Sequence, residues 1–320
     1  MDMISAVFLD YASIHPDDLD VSNLHASVDR WQFYGNTEAD SVASAIAEAD
    51  VAVVNKVVLD ERVLASAKNL KLICAAATGV NNIDLSAAKE RGIAVCNVRR
   101  YATPAVVQHV FALLLSLTTR LSQYQADVES GRWSRSEFFC LLDHPIRELQ
   151  GLTLGIVGYG ELGRAVASVA EAFGMKVLLA KSGKEDGREG RIDLHELLPQ
   201  LDVLSLHCPL TDDTRFLIGE AELALMRPDA LLINTARGGL VDEKALLEAL
   251  QKDRLAGAGL DVLEHEPPAE DYFLLAQKLP NLIITPHTAW ASRQARQRLV
   301  DEIAKNIKAF QQGRVRNAVA

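Results

Sequence analysis

The chain has 320 residues, of which 49% are apolar and 24% charged, and a formal net charge of −10. That length exceeds what one core usually serves, so two domains are expected, and the acidic balance excludes a general nucleic-acid binder, which needs Lys and Arg clustered against phosphates. No apolar run is long enough for a membrane span, and the acidic start MDMISAVFLD lacks the basic region of a signal peptide, so the cytoplasm is the expected location.

The four cysteines, Cys74, Cys96, Cys140 and Cys208, form no C-x-x-C pair. Cys74 and Cys96 lie in apolar strand-like runs and read as buried free thiols. Neither a metal site nor a disulfide framework is expected.

Strands are expected over residues 6–9, 51–54, 72–75 and 93–96, with helical stretches over 41–48, 61–67 and 85–90 between them. Strands separated by helices indicate parallel β-α-β units buried on both faces. The segment 76–82, AATGVNN, follows one of these strands. Ligands of open α/β sheets bind beyond the carboxyl ends of strands. A loop of small residues there can bring backbone N–H groups to a carboxylate. It can equally be an ordinary loop shaped by Gly79 and Asn81.

Residues 101–121 read as a long helix, with Thr103 as cap and Pro104 in its first turn. Val107, Val110, Phe111, Leu114, Leu115 and Leu117 cover more than one face, so the helix needs burial all round, in the core or in a subunit interface. Residues 122–150 read as an irregular arm bearing Trp133, Phe138, Phe139 and His144-Pro145. Exposed aromatics on an extension mark a partner surface, and a homodimer is expected.

The next stretch organises the chain. Leu152, Leu154, Ile156 and Val157 make a buried strand, and Gly158, Gly160 and Gly163 follow in G-x-G-x-x-G spacing. Leu162, Val166, Val169, Ala170 and Phe173 then recur at helical intervals. The first glycine allows a tight turn, the second lets a pyrophosphate approach the backbone, and the third lets helix pack on strand. The helix start offers N–H groups and a positive dipole end to the phosphates.

A strand over 176–180 comes next. In NAD-specific folds of this kind an Asp or Glu about 20 residues beyond the glycines binds the ribose 2′-OH. Lys181-Ser182 stands there instead; Lys184 and Arg188 follow, with Glu185 and Asp186 as the nearest acids. Without the carboxylate nothing repels a 2′-phosphate, so NADPH is expected to be accepted at least as well as NADH. The other reading is a solvated loop with a neutral group on the ribose. Further strands are expected over 203–206, 230–234, 257–261 and 282–285, with helices over 219–226 and 242–251, the latter capped by Asp242. A terminal helix over 290–311, with Leu299, Ile303 and Ile307 at spacing four, is expected to cross back to the first domain.

Arg237, Glu266 and His287 sit just beyond strand ends. Strand ends gather at the ligand crevice of a doubly wound sheet, so the three could meet. Reduction of a ketone by hydride needs a proton donor, and histidine suits that near neutral pH. A carboxylate beside it would orient the ring, and an arginine can hold a substrate carboxylate by two hydrogen bonds. Each has an alternative: Arg237 bonding loop carbonyls, Glu266 a solvated turn acid before Pro267-Pro268, His287 a packed loop histidine. His207 competes for the acid/base role, and spacing alone does not exclude it.

The runs 234–239, 261–267 and 286–289, with 76–84, 97–109 and the glycine turn, resemble the D-2-hydroxyacid dehydrogenase family over nearly the whole chain. Segments 71–82 (KLICAAATGVNN), 140–149 (CLLDHPIREL) and 286–292 (PHTAWAS) are similar to its glycerate dehydrogenase / hydroxypyruvate reductase branch. The resemblance implies two doubly wound, Rossmann-like parallel-sheet domains with an interdomain cleft. Residues 1–100 plus 290–320 would form the substrate-binding domain and 101–289 the dinucleotide-binding domain with its dimerisation arm.

It further implies His287 as acid/base, Glu266 as its orienting carboxylate and Arg237 as the group on the substrate carboxylate and carbonyl. Thr78 and Gly79 would touch substrate through the backbone. Thr103, Glu161, Leu162, Cys208, Pro209, Thr214, Thr235 and Asp261 would line the cofactor, Asp261 at the nicotinamide amide. The expected reaction is NAD(P)H-dependent reduction of a small 2-keto acid, hydroxypyruvate to D-glycerate first and glyoxylate to glycolate second. A dinucleotide-sensing corepressor is the rival binding protein, against which the Arg, Glu and His set speaks. A phosphoglycerate or phosphite dehydrogenase is the rival enzyme, and the basic cluster it would need is not evident.

Overall fold

The computed structural model describes residues 3–183 and 186–319. It divides into two units, one made of the residues up to Ala102 together with those from Trp290 onward, the other running from Thr103 to Ala289.

The first unit holds five strands: β1 (Ser5–Phe8), β2 (Arg30–Phe33), β3 (Val51–Val54), β4 (Leu72–Ala75) and β5 (Ala94–Cys96). All pair in parallel, in the order β2-β1-β3-β4-β5. The apolar runs VAVV and LICA are buried at every position, as strands covered on both faces must be. Strand β2, which the sequence reading did not expect, is the edge strand RWQF and alternates exposed and half-buried residues, so no apolar run marks it. Cys74 and Cys96 are register partners on β4 and β5, fully buried, with sulfurs 3.3 Å apart.

The helix Arg293–Gln311 belongs to this unit and buries Leu299, Val300, Ile303 and Ile307. The Arg296 guanidinium donates to both Asp18 oxygens, at 2.7 and 2.8 Å, and to the carbonyls of Ile14 and His15. Asn306 donates to the Asn97 carbonyl at 3.0 Å.

The second unit holds β6 (Thr153–Val157), β7 (Lys176–Ala180), β8 (Arg191–Ile192), β9 (Val203–Leu206), β10 (Leu231–Asn234), β11 (Gly257–Leu260) and β12 (Leu282–Ile284). The sheet is parallel throughout, ordered β12-β11-β10-β9-β6-β7-β8. The chain winds one way from β6 to β8 and the other way from β9 to β12. The order therefore reverses between β6 and β9, where such sheets open a ligand crevice at the strand carboxyl ends. The two-residue β8 is too short to have been read from periodicity.

The helix Thr103–Thr118 packs on β10, β11 and the helix Glu161–Ala172, which accounts for the burial of Val106, Val107, Val110, Phe111, Leu113, Leu114 and Leu117. It starts at Thr103 itself rather than being capped by it. The arm is not irregular throughout: Leu121–Glu129 is helical and Trp133–Arg135 is a short 3-10 turn. Trp133, Phe138, Phe139 and Leu142 stand exposed on the arm, Phe139 at 91%. Among the described residues no single helix is long and apolar enough to cross a membrane.

Candidate active site

His287 and Glu266 meet. The loop after β12 carries His287 and the loop after β11 carries Glu266, and His287 Nδ1 lies 2.6 Å from Glu266 Oε2. The other Glu266 oxygen accepts from the Leu263 N–H at 2.8 Å, which fixes the carboxylate to its own loop. His287 is about 28% exposed and Glu266 about 32%, so both side chains remain open to solvent. His287 has φ of 52°, a left-handed conformation that non-glycine residues adopt when their surroundings impose it.

Those surroundings centre on Asp261, which is 1% exposed. Its Oδ1 accepts from Thr285 Oγ1 at 2.6 Å and the Thr288 N–H at 2.9 Å, and its Oδ2 from the Ala289 N–H at 2.8 Å. His109 Nε2, on the helix Thr103–Thr118, lies 3.3 Å from Oδ1 and 2.8 Å from Thr285 Oγ1. The Asp261 carbonyl accepts from the His287 N–H at 2.8 Å. Burial pushes the Asp261 carboxyl up, but hydrogen bonds from His109, Thr285, Ala289 and Thr288 outweigh it and hold the group below the usual carboxylate range. The side chain is thus engaged with the loop that presents His287.

Arg237 leaves β10 two residues before Gly239, half-buried, with Nη1 donating to the Ala236 carbonyl at 2.6 Å. Asn234 Nδ2 donates to the Arg237 carbonyl at 2.8 Å, which shapes the turn. At Gly238 a Cβ would come within 1.9 Å of the Leu263 carbonyl carbon. The turn bearing Arg237 is therefore pressed directly onto the backbone of the turn bearing Glu266, and only glycine permits it.

His207 does not compete as an acid/base group. Burial pushes its imidazole down to about 4, Nε2 is shared with Ser205 Oγ at 2.9 Å, and Nδ1 is buried without a partner among the described residues. It is a neutral packing residue at the end of β9.

The glycine turn fits a dinucleotide. At Gly158 a Cβ would fall 2.5 Å from the Cys208 nitrogen, and at Gly163 2.2 Å from the Gly158 oxygen, whereas at Gly160 it would meet nothing within 4 Å. Two glycines close the turn and the middle one opens onto free space, as a pyrophosphate requires. The helix beginning at Glu161 has Gly160 as N-cap and no capping side chain over its first turn, which suits a phosphate. The Thr103 hydroxyl donates to Glu161, Thr214 Oγ1 donates to the Pro209 carbonyl at 2.8 Å, and the Thr235 hydroxyl is buried without a partner among the described residues. Burial raises the Cys208 thiol to about 11, so it stays neutral beside Gly158.

At the end of β7 the Lys181 N–H bonds the Ile192 carbonyl. The Ser182 N–H donates to Asp186 Oδ2 at 2.8 Å, the Arg188 guanidinium grips both Asp186 oxygens at 2.7 Å, and its Nη2 reaches Ser182 Oγ at 2.9 Å. Arg188, helped by the Ser182 N–H, holds the Asp186 carboxyl well below its ordinary range. An acid therefore does stand at the end of β7, supplied from five residues beyond Lys181 and already paired to an arginine. Lys184 and Glu185 lie outside the described residues.

Thr78 and Gly79 belong to the first unit, in the loop after β4. Thr78 Oγ1 donates to the Val98 carbonyl at 2.9 Å and Asn97 Nδ2 to the Thr78 carbonyl at 2.7 Å, so the loop is fastened to the segment after β5. Asn82 Nδ2 ties its far end to the Val57 carbonyl at 2.8 Å. Among the described residues no group of three or more His, Cys, Asp or Glu could hold a metal ion.

Residues 111–289 match the family model described as the NAD binding domain of D-isomer specific 2-hydroxyacid dehydrogenases. The chain is 44% identical to a glycerate dehydrogenase of Methylorubrum extorquens, covering 94% of this chain and 97% of that protein. It is 37% identical to a hydroxypyruvate reductase of Blautia hydrogenotrophica, covering 98% of each. An NADPH-dependent glyoxylate/hydroxypyruvate reductase of Sinorhizobium meliloti, solved with NADP and malonate, superposes with a TM-score of 0.84 at 28% identity, covering 100% of this chain and 97% of that one.

Proposed function

Because this chain belongs to the D-isomer specific 2-hydroxyacid dehydrogenase family, oxidoreductases acting on CH–OH groups with a nicotinamide dinucleotide, we propose that it reduces hydroxypyruvate to D-glycerate and, second, glyoxylate to glycolate. The His287–Glu266 pair carries the reading. With Nδ1 engaged by the carboxylate, Nε2 is the nitrogen left to give a proton to the substrate oxygen. A sensor that only binds dinucleotide has no use for such a pair.

A bound dinucleotide would supply the hydride. The Gly158, Gly160 and Gly163 turn would hold its pyrophosphate, with Thr103, Glu161, Leu162, Cys208, Pro209, Thr214 and Thr235 around it. Arg237 takes the substrate carboxylate by two hydrogen bonds and draws charge from the adjoining carbonyl. Thr78 and Gly79 offer backbone groups to the same acid. His287 donates the proton from Nε2, and Glu266 keeps the ring turned and compensates the charge of its protonated form. Asp261 acts on the nicotinamide end through the loop it holds. The first unit is then the substrate-binding domain and the second the dinucleotide-binding domain, whose exposed arm joins two copies into a homodimer. The enzyme works in the cytoplasm.

NADPH serves at least as well as NADH in this reading. Arg188 and Lys181, with the Ser182 hydroxyl, offer a 2′-phosphate two cations and a donor at the end of β7, and the paired Asp186 repels it less than a lone carboxylate would. The deciding experiment is a panel of 2-keto acids assayed with each cofactor. Turnover of hydroxypyruvate above the other acids supports the assignment, and turnover of neither hydroxypyruvate nor glyoxylate overturns it.

A further inference from the structure

The helix Glu243–Gln251 begins beside the turn that carries Glu266. Its first residue, Glu243, is 4% exposed. Buried carboxylates are rare, because removing the charge from water is costly unless donors replace the water. Glu243 has two: its Oε1 accepts from the Glu264 N–H at 2.7 Å and its Oε2 from the Tyr272 hydroxyl at 2.5 Å. Burial pushes the Glu243 carboxyl up, and the same carboxylate together with burial pushes the Tyr272 hydroxyl up.

Helix capping does not explain this residue. Asp242 already caps the helix, with Oδ1 accepting from the Lys244 and Ala245 N–H groups at 3.0 and 3.1 Å. Glu243 turns away from its own helix toward the turn 263–266. That turn is held from its other sides as well: Arg215 Nη2 meets Glu264 Oε1 at 2.8 Å, and Gly238 lies under Leu263. Glu243 is the deeply buried acceptor of the set. It bonds the backbone two residues before Glu266, and Glu266 in turn binds Leu263 N–H and His287.

We propose that Glu243 is a positioning residue: through the Glu264 N–H and the Tyr272 hydroxyl it fixes the turn that aims the Glu266 carboxylate at His287. The inference rests on the role given to the His287–Glu266 pair. Without Glu243 the Glu264 N–H loses its buried partner, the turn relaxes toward water, and Glu266 no longer holds the ring in one orientation. The Gly238–Leu263 contact keeps the near end of the turn seated against the turn of Arg237, so the defect falls on the Glu266 carboxylate and on turnover.

The test compares Glu243→Ala, Glu243→Gln and Tyr272→Phe in the full chain, using whichever 2-keto acid the wild type reduces best. In Glu243→Ala we expect kcat to fall about tenfold or more, with KM for the acid and Kd for the dinucleotide, read by calorimetry, within about twofold of wild type. Glutamine keeps an acceptor for the Glu264 N–H and restores most of kcat, and Tyr272→Phe gives a smaller loss. A wild-type kcat in Glu243→Ala, a parallel loss of dinucleotide affinity, or a glutamine variant no better than alanine would each overturn the proposal. If Glu243→Ala does not fold, Tyr272→Phe decides, and a kcat equal to wild type refutes it. A second readout needs no turnover. The downfield proton resonance of the His287–Glu266 hydrogen bond should vanish in Glu243→Ala and persist in Glu243→Gln. Should no 2-keto acid be reduced at all, the functional assignment fails, and this resonance still decides the role of Glu243.

Discussion

His287 Nδ1 and Glu266 Oε2 lie 2.6 Å apart, although they stand 21 positions apart and follow two different strands. A hydrogen bond of that length to a carboxylate sets which ring nitrogen faces the substrate. His287→Ala should lower kcat on hydroxypyruvate by about 10²- to 10⁴-fold, the usual worth of a general acid. Dinucleotide affinity should stay at the wild-type value in a calorimetric titration. Glu266→Gln should lose less. A His287→Ala variant with near wild-type kcat would show that the proton comes from elsewhere.

Arg237 is expected to tolerate no replacement. Arg237→Ala should raise KM for the keto acid and lower kcat, because the substrate carboxylate loses its fork and its carbonyl loses polarisation. Arg237→Lys should recover little, since an ammonium cannot bind a carboxylate through two parallel donors. Steady-state kinetics on the purified variants distinguish this from a loop-bonding role, which would leave KM unchanged.

The knot of Ser182, Asp186 and Arg188 predicts cofactor choice. Arg188→Ala should weaken NADPH binding by about tenfold, the effect of one lost charge-assisted contact, and leave NADH nearly untouched. Asp186→Asn should move the ratio of kcat/KM values toward NADPH. Binding constants that change equally for both cofactors would show that this corner does not read the 2′ position.

The depressed imidazole of His207 predicts a stability change with pH. Its folded value of about 4 lies below the ordinary 6.5. Between those values the unfolded chain binds a proton that the folded chain does not, so stability falls as pH falls. The contribution is complete above pH 6.5 and amounts to about 2–3 kcal/mol after allowance for partial exposure. Urea midpoints should drop as the buffer goes from pH 7 to about pH 4, and the drop should shrink in His207→Gln. Equal pH dependence in the two proteins would refute the assignment.

Much of the fold was legible because strands buried on both faces are continuous apolar runs. VAVV, LICA, VLSL and LLIN announce themselves. Strand β2 and the arm helix Leu121–Glu129 did not, because RWQF and LSQYQADVE bury little and carry no such run. In the candidate site the places of Gly158, Gly160, Gly163, Glu266 and His287 beyond strand ends were legible, whereas only the structure shows that Glu266 and His287 meet. His109 was not legible. It is a polar residue in a helix otherwise read as apolar, and its partners, Asp261 and Thr285, are more than 150 residues away. Glu243 and Tyr272 were hidden for the same reason: a buried carboxylate next to a good N-cap looks like one more acid in a helix's first turn. Asp186 stands off the expected spacing, and only the turn back to Ser182 shows which backbone group it binds.

The contact of Gly238 with Leu263 has a consequence for how this scaffold can change. Where no methyl group fits between two turns, neither turn can shift without the other, and an insertion in one is a collision with its neighbour. The guanidinium and the carboxylate are in effect cast in a single piece. New preferences for longer, branched or more polar acids must then arise from replacements in segments outside this fused pair, with the reactive geometry inherited unaltered.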